Sequence, residues 1–94
     1  MLFRKKLRKR IRFYGEVQAV GFRFQAQYAA KVYGVTGWVR NESDGTVLME
    51  VQGTEDQINS VTAEIDNDPY IRIERMETEW IEPENSEKGF RVKY

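Results

Sequence analysis

The residues with the clearest chemical potential lie in the stretch GEVQAVGFR, positions 15–23. Gly15 and Gly21 allow a backbone that bends tightly or closely approaches another group. Arg23 falls in the expected first turn of a helix, where the helix dipole disfavours a positive charge. A bound anion would remove this conflict, because unpaired N–H groups at a helix start bind phosphate and a guanidinium grips two of its oxygens. An ordinary strand-to-helix turn with a surface arginine is the alternative.

A second candidate residue, Asn41, ends the stretch GWVRN at positions 37–41. Its side-chain amide is both donor and acceptor, so it is able to orient a water molecule. Asparagine also begins turns for purely local reasons, and both interpretations stay open on these residues alone. Glu42 and Asp44 follow closely and are candidate bases, although acidic residues are ordinary in hairpin turns.

The composition of this chain of 94 residues excludes several kinds of site chemistry. It has no cysteine, which excludes disulfides and thiolates, and no histidine, the commonest general base and metal ligand. The length fits one small domain, so we expect residues 1–94 to form it. No apolar run approaches the ~20 residues that span a membrane, and the N-terminus lacks the pattern of a secretory signal. We therefore expect a cytoplasmic protein.

Charge is balanced overall but unevenly distributed. Lys and Arg account for eight of the first 23 residues, whereas fourteen of the fifteen acids lie between Glu42 and Glu87. We interpret the basic segment RKKLRKRIR, residues 4–12, as a solvated flank of a first strand. A surface that faces nucleic acid or another anion is the alternative.

Hydrophobic periodicity predicts the elements that position these residues. Alternation predicts strands over 7–14, 35–41, 46–52, 70–82 and 89–94, and helical spacing predicts helices over 22–33 and from Thr54 to before Pro69. Thr54 with Gln57 has the spacing of a capping box. Within 70–82 the apolar residues change phase, which predicts a bulge near Glu74–Arg75.

The order β-α-β-β-α-β, with a short extra C-terminal strand, is the ferredoxin-like split βαβ pattern of the α+β class. Each helix has only one apolar stripe to bury. We therefore expect a sandwich in which both helices cover one face of a mainly antiparallel sheet.

The stretch GEVQAVGFR (15–23), followed by GWVRNESDGTVLMEVQG (37–53), resembles the two signature stretches of the acylphosphatase family. The family pattern reads roughly G-x-V-Q-G-V-x-F-R, then G-W-V-x-N, three residues, G-x-V and a glycine six residues later. The second stretch matches throughout, and the first departs only at Ala19, where the family has glycine. The resemblance runs from about residue 7 to the closing FRVKY.

The resemblance implies hydrolysis of acyl phosphates to a carboxylate and inorganic phosphate, with no metal and no organic cofactor. It implies that Arg23 holds the phosphoryl group together with loop amides, and that Asn41 positions the attacking water. The implied phosphate-binding loop comprises Gly15, Glu16, Val17, Gln18, Ala19, Val20, Gly21 and Phe22. If the backbone at Ala19 requires a positive φ, alanine costs roughly 1 kcal/mol or more there, whereas a negative φ would be tolerated.

Two other classes of function remain open on the sequence. One is a non-catalytic phosphate-binding or regulatory module, and the other is a single-stranded nucleic-acid binder that uses the basic segment. We expect the partners of the chain to be an acyl phosphate and inorganic phosphate, without a membrane or nucleic acid, and we expect a monomer. A similar domain also begins a large carbamoyl-transferring maturation protein, and we expect a stand-alone enzyme here.

Overall fold

The computed structural model describes residues 5–94, which form the predicted order of elements. These elements are β1 (Leu7–Glu16), α1 (Phe22–Tyr33), β2 (Thr36–Asn41), β3 (Val47–Gly53), α2 (Glu55–Asp66), β4 (Arg72–Ile81) and β5 (Phe90–Lys93). Neither helix in this part of the chain has the length and apolar character that crossing a membrane requires.

The strands form one sheet in the order β4-β1-β3-β2-β5. β1 pairs antiparallel with β3 and β4, and β2 pairs antiparallel with β3, but β5 runs parallel to β2. The expected mainly antiparallel sheet is therefore confirmed, and β5 adds a parallel pair with β2. The reason is the path of the chain, because residues 82–89 cross the sheet at the end where β4 finishes. β1, β2 and β5 consequently all finish at the opposite end.

Both helices pack on one face of the sheet, as their single apolar stripes predict. The buried residues are Phe22, Ala26, Ala29 and Ala30 on α1 and Ile58, Val61 and Ile65 on α2. Alternate residues of the central strands complete this core, and they include Ile11, Phe13, Val47, Met49 and Val51. The rings of Phe13 and Phe22 lie 4.7 Å apart between centroids, which fixes the start of α1 against β1.

Local hydrogen bonds define the helix ends. The backbone N–H of Gln57 donates to Thr54 Oγ1 at 3.2 Å, and the backbone N–H of Thr54 donates to Gln57 Oε1 at 2.8 Å. The predicted capping box is therefore confirmed. α1 ends at Gly34, whose left-handed backbone lets its N–H donate to the carbonyl of Ala30.

The change of phase in β4 is a β-bulge at Glu74. The register between β1 and β4 shifts between Tyr14 and Gly15, which leaves Glu74 without a partner on β1 and confirms the bulge expected at Glu74–Arg75. The bulged strand lies so close to Gly15 that a Cβ there would meet the carbonyl oxygen of Arg72 at 2.3 Å. The glycine at this position is thus required by strand packing.

The face of the sheet opposite the helices carries a charged network. Arg8, only 1% exposed, donates from Nε to Glu50 at 2.9 Å and from Nη1 to Glu87 at 2.7 Å. Arg10 donates from Nη2 to the other carboxylate oxygen of Glu50 at 2.7 Å. The expectation of a solvated basic flank is therefore corrected for Arg8, which is buried and paired with acids distant in sequence, whereas Arg10 pairs with Glu50 but stays 46% exposed. Arg4, which begins that segment, lies outside the described residues.

The network lowers the pKa of both buried carboxylates. Burial by itself raises the pKa of Glu50 and Glu87, but hydrogen bonds from Arg8, and for Glu50 also from Arg10, outweigh burial. Both pKa values consequently lie below the ordinary value of 4.5. Since the folded-state pKa is the lower one, these pairs stabilise the fold above the unfolded-state pKa, and that stabilisation is lost as the pH falls through the folded-state pKa.

We expect Glu87→Gln to lower the free energy of unfolding at neutral pH by about 3 kcal/mol, because Arg8 stays buried and loses a charged partner. The difference from the wild type should shrink in acid, where the wild-type carboxyl is itself protonated. Urea unfolding of both proteins at neutral and acidic pH measures the effect.

The matched control is Glu79→Gln, which removes an exposed carboxylate 3.5 Å from Arg10. An exposed pair of this kind contributes at most about 1 kcal/mol. If Glu87→Gln were as stable as the control at neutral pH, the buried pair would not contribute as described.

Candidate active site

A cleft of about 290 Å³ opens at the end of the sheet where β1, β2 and β5 finish and α1 begins. Its wall contains both Arg23, from the first turn of α1, and Asn41, from the last position of β2. The other lining residues are Val17, Ala19, Gly21, Phe22, Phe24, Gln27, Val92 and Tyr94. A larger hollow of about 560 Å³, between α2 and β4, contains neither Arg23 nor Asn41.

The start of α1 presents unpaired backbone donors to this cleft. The helix begins after Gly21, which is in the left-handed conformation and provides no side-chain cap. The N–H of Gln25 donates to the carbonyl of Gly21 at 3.0 Å and makes the first bond of the helical ladder. The N–H groups of Phe22, Arg23 and Phe24 come earlier in the chain, so they have no carbonyl one turn before them. Together with the helix dipole, they favour an anion.

Arg23 adds a positive charge to these donors. Its side chain is partly exposed, and within residues 5–94 it makes neither a hydrogen bond nor an ion pair. Its guanidinium carbon lies 5.1 Å from the centroid of the Tyr94 ring, a cation–π contact that leaves all of the N–H donors available. A cation without a carboxylate partner at a helix start is well placed to bind an anion with two oxygens.

Asn41 lines the same cleft from the end of β2, and its side-chain amide is available. Within the described range this amide has no hydrogen-bond partner. The neighbouring acids are engaged, since Glu42 accepts from Arg40 Nε at 2.9 Å and Asp44 accepts from the hydroxyl of Thr46 at 2.7 Å. The bond from the Thr46 hydroxyl is also the main reason that the pKa of Asp44 lies below its ordinary value.

Gln18 ties the loop to the turn that follows Asn41. Its Nε2 donates to the carbonyl of Glu42 at 2.7 Å and to the carbonyl of Thr46 at 2.9 Å. The resemblance assigns Gln18 to the phosphate-binding loop, but its side chain points to the hairpin and not into the cleft. The two bonds hold the loop and the end of β2 at a fixed separation.

Only some residues of the implied phosphate-binding loop line the cleft. Gly15 and Glu16 belong to β1 and pair with Ile73 and Arg72 of β4, so they do not line the cleft. Val20 is also outside the cleft wall and packs against the core. The loop residues that do line the cleft are Val17, Ala19, Gly21 and Phe22, and the side chains of Val17 and Phe22 are buried in the core.

Four residues of the cleft were not anticipated from the sequence. Phe24 and Gln27 follow Arg23 at helical spacing, so the placement of Arg23 on α1 contains a signal for them. Val92 and Tyr94 come from the end of the chain, and they reach the cleft only because β5 pairs with β2 in parallel. No local pattern indicates that pairing.

Comparison with known proteins agrees with this geometry. The acylphosphatase family model matches residues 9–92. The chain belongs to the acylphosphatase family. It is 40% identical over 89 residues to an acylphosphatase of Thermococcus kodakarensis, an alignment that covers 94% of this chain and 97% of that protein. The crystal structure of acylphosphatase from Bacillus subtilis is similar with a TM-score of 0.86 and 29% identity, and the match covers 94% of this chain and 99% of that chain.

The same architecture also occurs inside a larger protein. The structure of T. kodakarensis HypF matches with a TM-score of 0.81 and 30% identity, over 94% of this chain but 12% of that chain. The acylphosphatases match over nearly their whole length at similar or higher identity. The chain is an enzyme of the acylphosphatase family, whose activity is the hydrolysis of acyl phosphates.

Position 19, where the family pattern has glycine, holds an alanine in a strained backbone conformation. Ala19 has a φ of 60° and is the one non-glycine residue with positive φ among residues 5–94. We expect Ala19→Gly to raise the free energy of unfolding by about 1 kcal/mol, because glycine has no Cβ to clash in this conformation. Urea unfolding measures the change.

The control for Ala19→Gly is the reverse change at Gly21, which has a φ of 82° and open space where a Cβ would project. Gly21→Ala should lower stability, since only the backbone conformation opposes the methyl group. A loss of stability in Ala19→Gly would mean that the left-handed conformation at residue 19 is not strained.

Proposed function

We propose that this enzyme hydrolyses acyl phosphates with Arg23 and loop amides holding the phosphoryl group and Asn41 positioning the attacking water. The observation that supports these roles is the shared cleft, which is lined by both Arg23, a cation without an acidic partner among the described residues, and Asn41, whose amide is not engaged there. The resemblance of both signature stretches to the family assigns the same roles.

The phosphoryl group sits at the start of α1. Its oxygens accept from the N–H groups of Phe22 to Phe24 and from the guanidinium of Arg23, so that the dipole of the helix and one formal charge act together. Ala19 and Gly21 turn the backbone around the anion. Phosphoryl transfer depends chiefly on positioning and on charge stabilisation, and these groups provide the stabilisation.

The bond that breaks needs little help from an acid. An acyl phosphate is a mixed anhydride, and its leaving group is a carboxylate of low pKa, so no residue has to protonate it. The oxygen of a water molecule held by Asn41 attacks phosphorus in line, and the bond from phosphorus to the acyl oxygen breaks. The proton of the water passes to a phosphoryl oxygen, and the products are a carboxylate and inorganic phosphate.

This use of the substrate as its own base is consistent with the acids near Asn41. Glu42 is paired with Arg40, and its carboxylate also lies 3.5 Å from Arg12. Asp44 is engaged by Thr46 in the hairpin turn. The contacts of both carboxylates are structural, and we assign neither a role as the base.

The alternative of a nucleic-acid binder has little support. The arginines of the basic segment on the open sheet face are paired with Glu50, Glu87 and Thr46, so they do not form a free positive surface. Aromatic residues that stack on bases are expected on such a face. Trp38 is on it, but Arg40 and Lys93 already stack on its ring.

We expect Asn41→Ala to lower kcat for benzoyl phosphate by about 100-fold or more, because the attacking water loses the group that orients it. Arg23→Ala should lower kcat/KM by a similar factor and should also weaken competitive inhibition by inorganic phosphate. Steady-state kinetics with and without a chelator measure both effects and test whether the reaction needs a metal.

Asn59→Ala on α2 and Arg72→Ala at the edge of the sheet are the matched controls, and both should keep wild-type kinetics. Circular dichroism confirms that each variant is folded. Wild-type turnover in Asn41→Ala would refute the water-positioning role, and unchanged phosphate inhibition in Arg23→Ala would refute the phosphate-binding role.

We also propose that residues 1–94 form one domain, that the enzyme is a monomer, and that it works in the cytoplasm. A single core cluster that includes residues of both helices supports one domain. The absence of cysteine from the sequence suits a reducing compartment. Sedimentation tests whether the enzyme is a monomer, and cell fractionation tests whether it is in the cytoplasm.

A further inference from the structure

One wall of the cleft is built from exposed aromatic side chains. Phe24 is 74% exposed and Tyr94 is 98% exposed, and both line the cleft beside Arg23. Large apolar side chains at the surface are informative when they gather at a site, because their exposure is unfavourable unless something covers them. Val92 extends this apolar wall from β5.

These aromatic side chains adjoin the groups that we assign to phosphate binding. Phe24 directly follows Arg23 in the first turn of α1, and Gln27 lies one turn further along the same side of the helix. The guanidinium carbon of Arg23 lies 5.1 Å from the centroid of the Tyr94 ring. Both rings are therefore within reach of an acyl group joined to a phosphoryl group at Arg23.

The charges of the cleft favour an uncharged acyl group. Arg23 has the one cationic side chain among the described residues that line it, and none of those residues has an acidic side chain. The phosphoryl group already occupies the guanidinium, so a carboxylate or second phosphate on the acyl group would find no counter-charge. An apolar group would instead cover Phe24 and Tyr94.

We infer that Phe24 and Tyr94 form a subsite for the acyl group, and that this subsite selects acyl phosphates with a flat or apolar acyl group. This inference rests on the proposed function, because it presumes that the phosphoryl group lies at Arg23. An aromatic acyl group stacks against the Phe24 ring, and the Gln27 amide lies at the edge of the same wall. Phe24 is then a residue that determines specificity, separate from the groups that act on phosphorus.

The test compares two substrates with the same reacting bond, benzoyl phosphate and acetyl phosphate. We expect Phe24→Ala to lower the ratio of their kcat/KM values by about five- to tenfold, which corresponds to the loss of one aromatic contact. Phe24→Leu should restore part of the ratio because it restores apolar area. Tyr28→Ala is the matched control, since Tyr28 is an exposed aromatic residue of α1 that does not line the cleft.

A binding measurement separates failure of this inference from failure of the proposed function. Titration of the protein with benzylphosphonate and methylphosphonate, followed by NMR, gives dissociation constants that do not depend on turnover. Preference for benzylphosphonate that is lost in Phe24→Ala supports the subsite. A wild type that binds both phosphonates equally, or a Phe24→Ala variant with an unchanged ratio for both substrates and ligands, would overturn it. Absence of hydrolysis with that binding preference intact would count against the proposed function alone.

Discussion

The candidate active site depends on how the chain passes from β1 into α1. Residues 17–21 convert a strand into a helix while Phe22 stays packed against Phe13 in the core. Two residues with positive φ, Ala19 and Gly21, make that turn possible. The helix begins immediately afterwards, so its unpaired N–H groups open into the cleft. The ends of β2 and β5 reach the same cleft because the sheet order places them beside the start of α1.

Hydrogen bonds on the charged face of the sheet help to position β5, which contributes residues to the cleft. Gln52 accepts from the N–H of Glu84 at 2.7 Å and donates to its carbonyl at 2.9 Å, and Glu87 pairs with buried Arg8. These bonds attach residues 82–89 to β1 and β3. The attached connection leads into β5, and β5 places Val92 and Tyr94 in the cleft. A network outside the cleft thus helps to position the residues that β5 contributes to it.

Most of the fold follows from local patterns in the sequence, and the exceptions are long-range. The slip of phase in β4 is visible in the spacing of its apolar residues, so the bulge at Glu74 is predictable. The burial of Arg8 is not, because its partner Glu87 is 79 positions away. Likewise, nothing near Gln18 indicates that its side chain bonds to the hairpin turn. The two signature stretches make Arg23 and Asn41 candidate site residues, but only the fold brings them to one cleft.

Three local conflicts of this structure lie together at the start of α1. Ala19 has a backbone conformation that suits glycine, Gly21 leaves the helix start without a side-chain cap, and Arg23 puts a positive charge at the positive end of a dipole. The capping box of α2, the glycine that ends α1 and the paired charges of Arg8 agree with the fold. Natural sequences tolerate such conflicts where function needs them. A bound phosphoryl group resolves two of the three, since it accepts from the free N–H groups and neutralises the guanidinium. The strain at Ala19 remains, and it is therefore the one conflict that ligand binding does not explain.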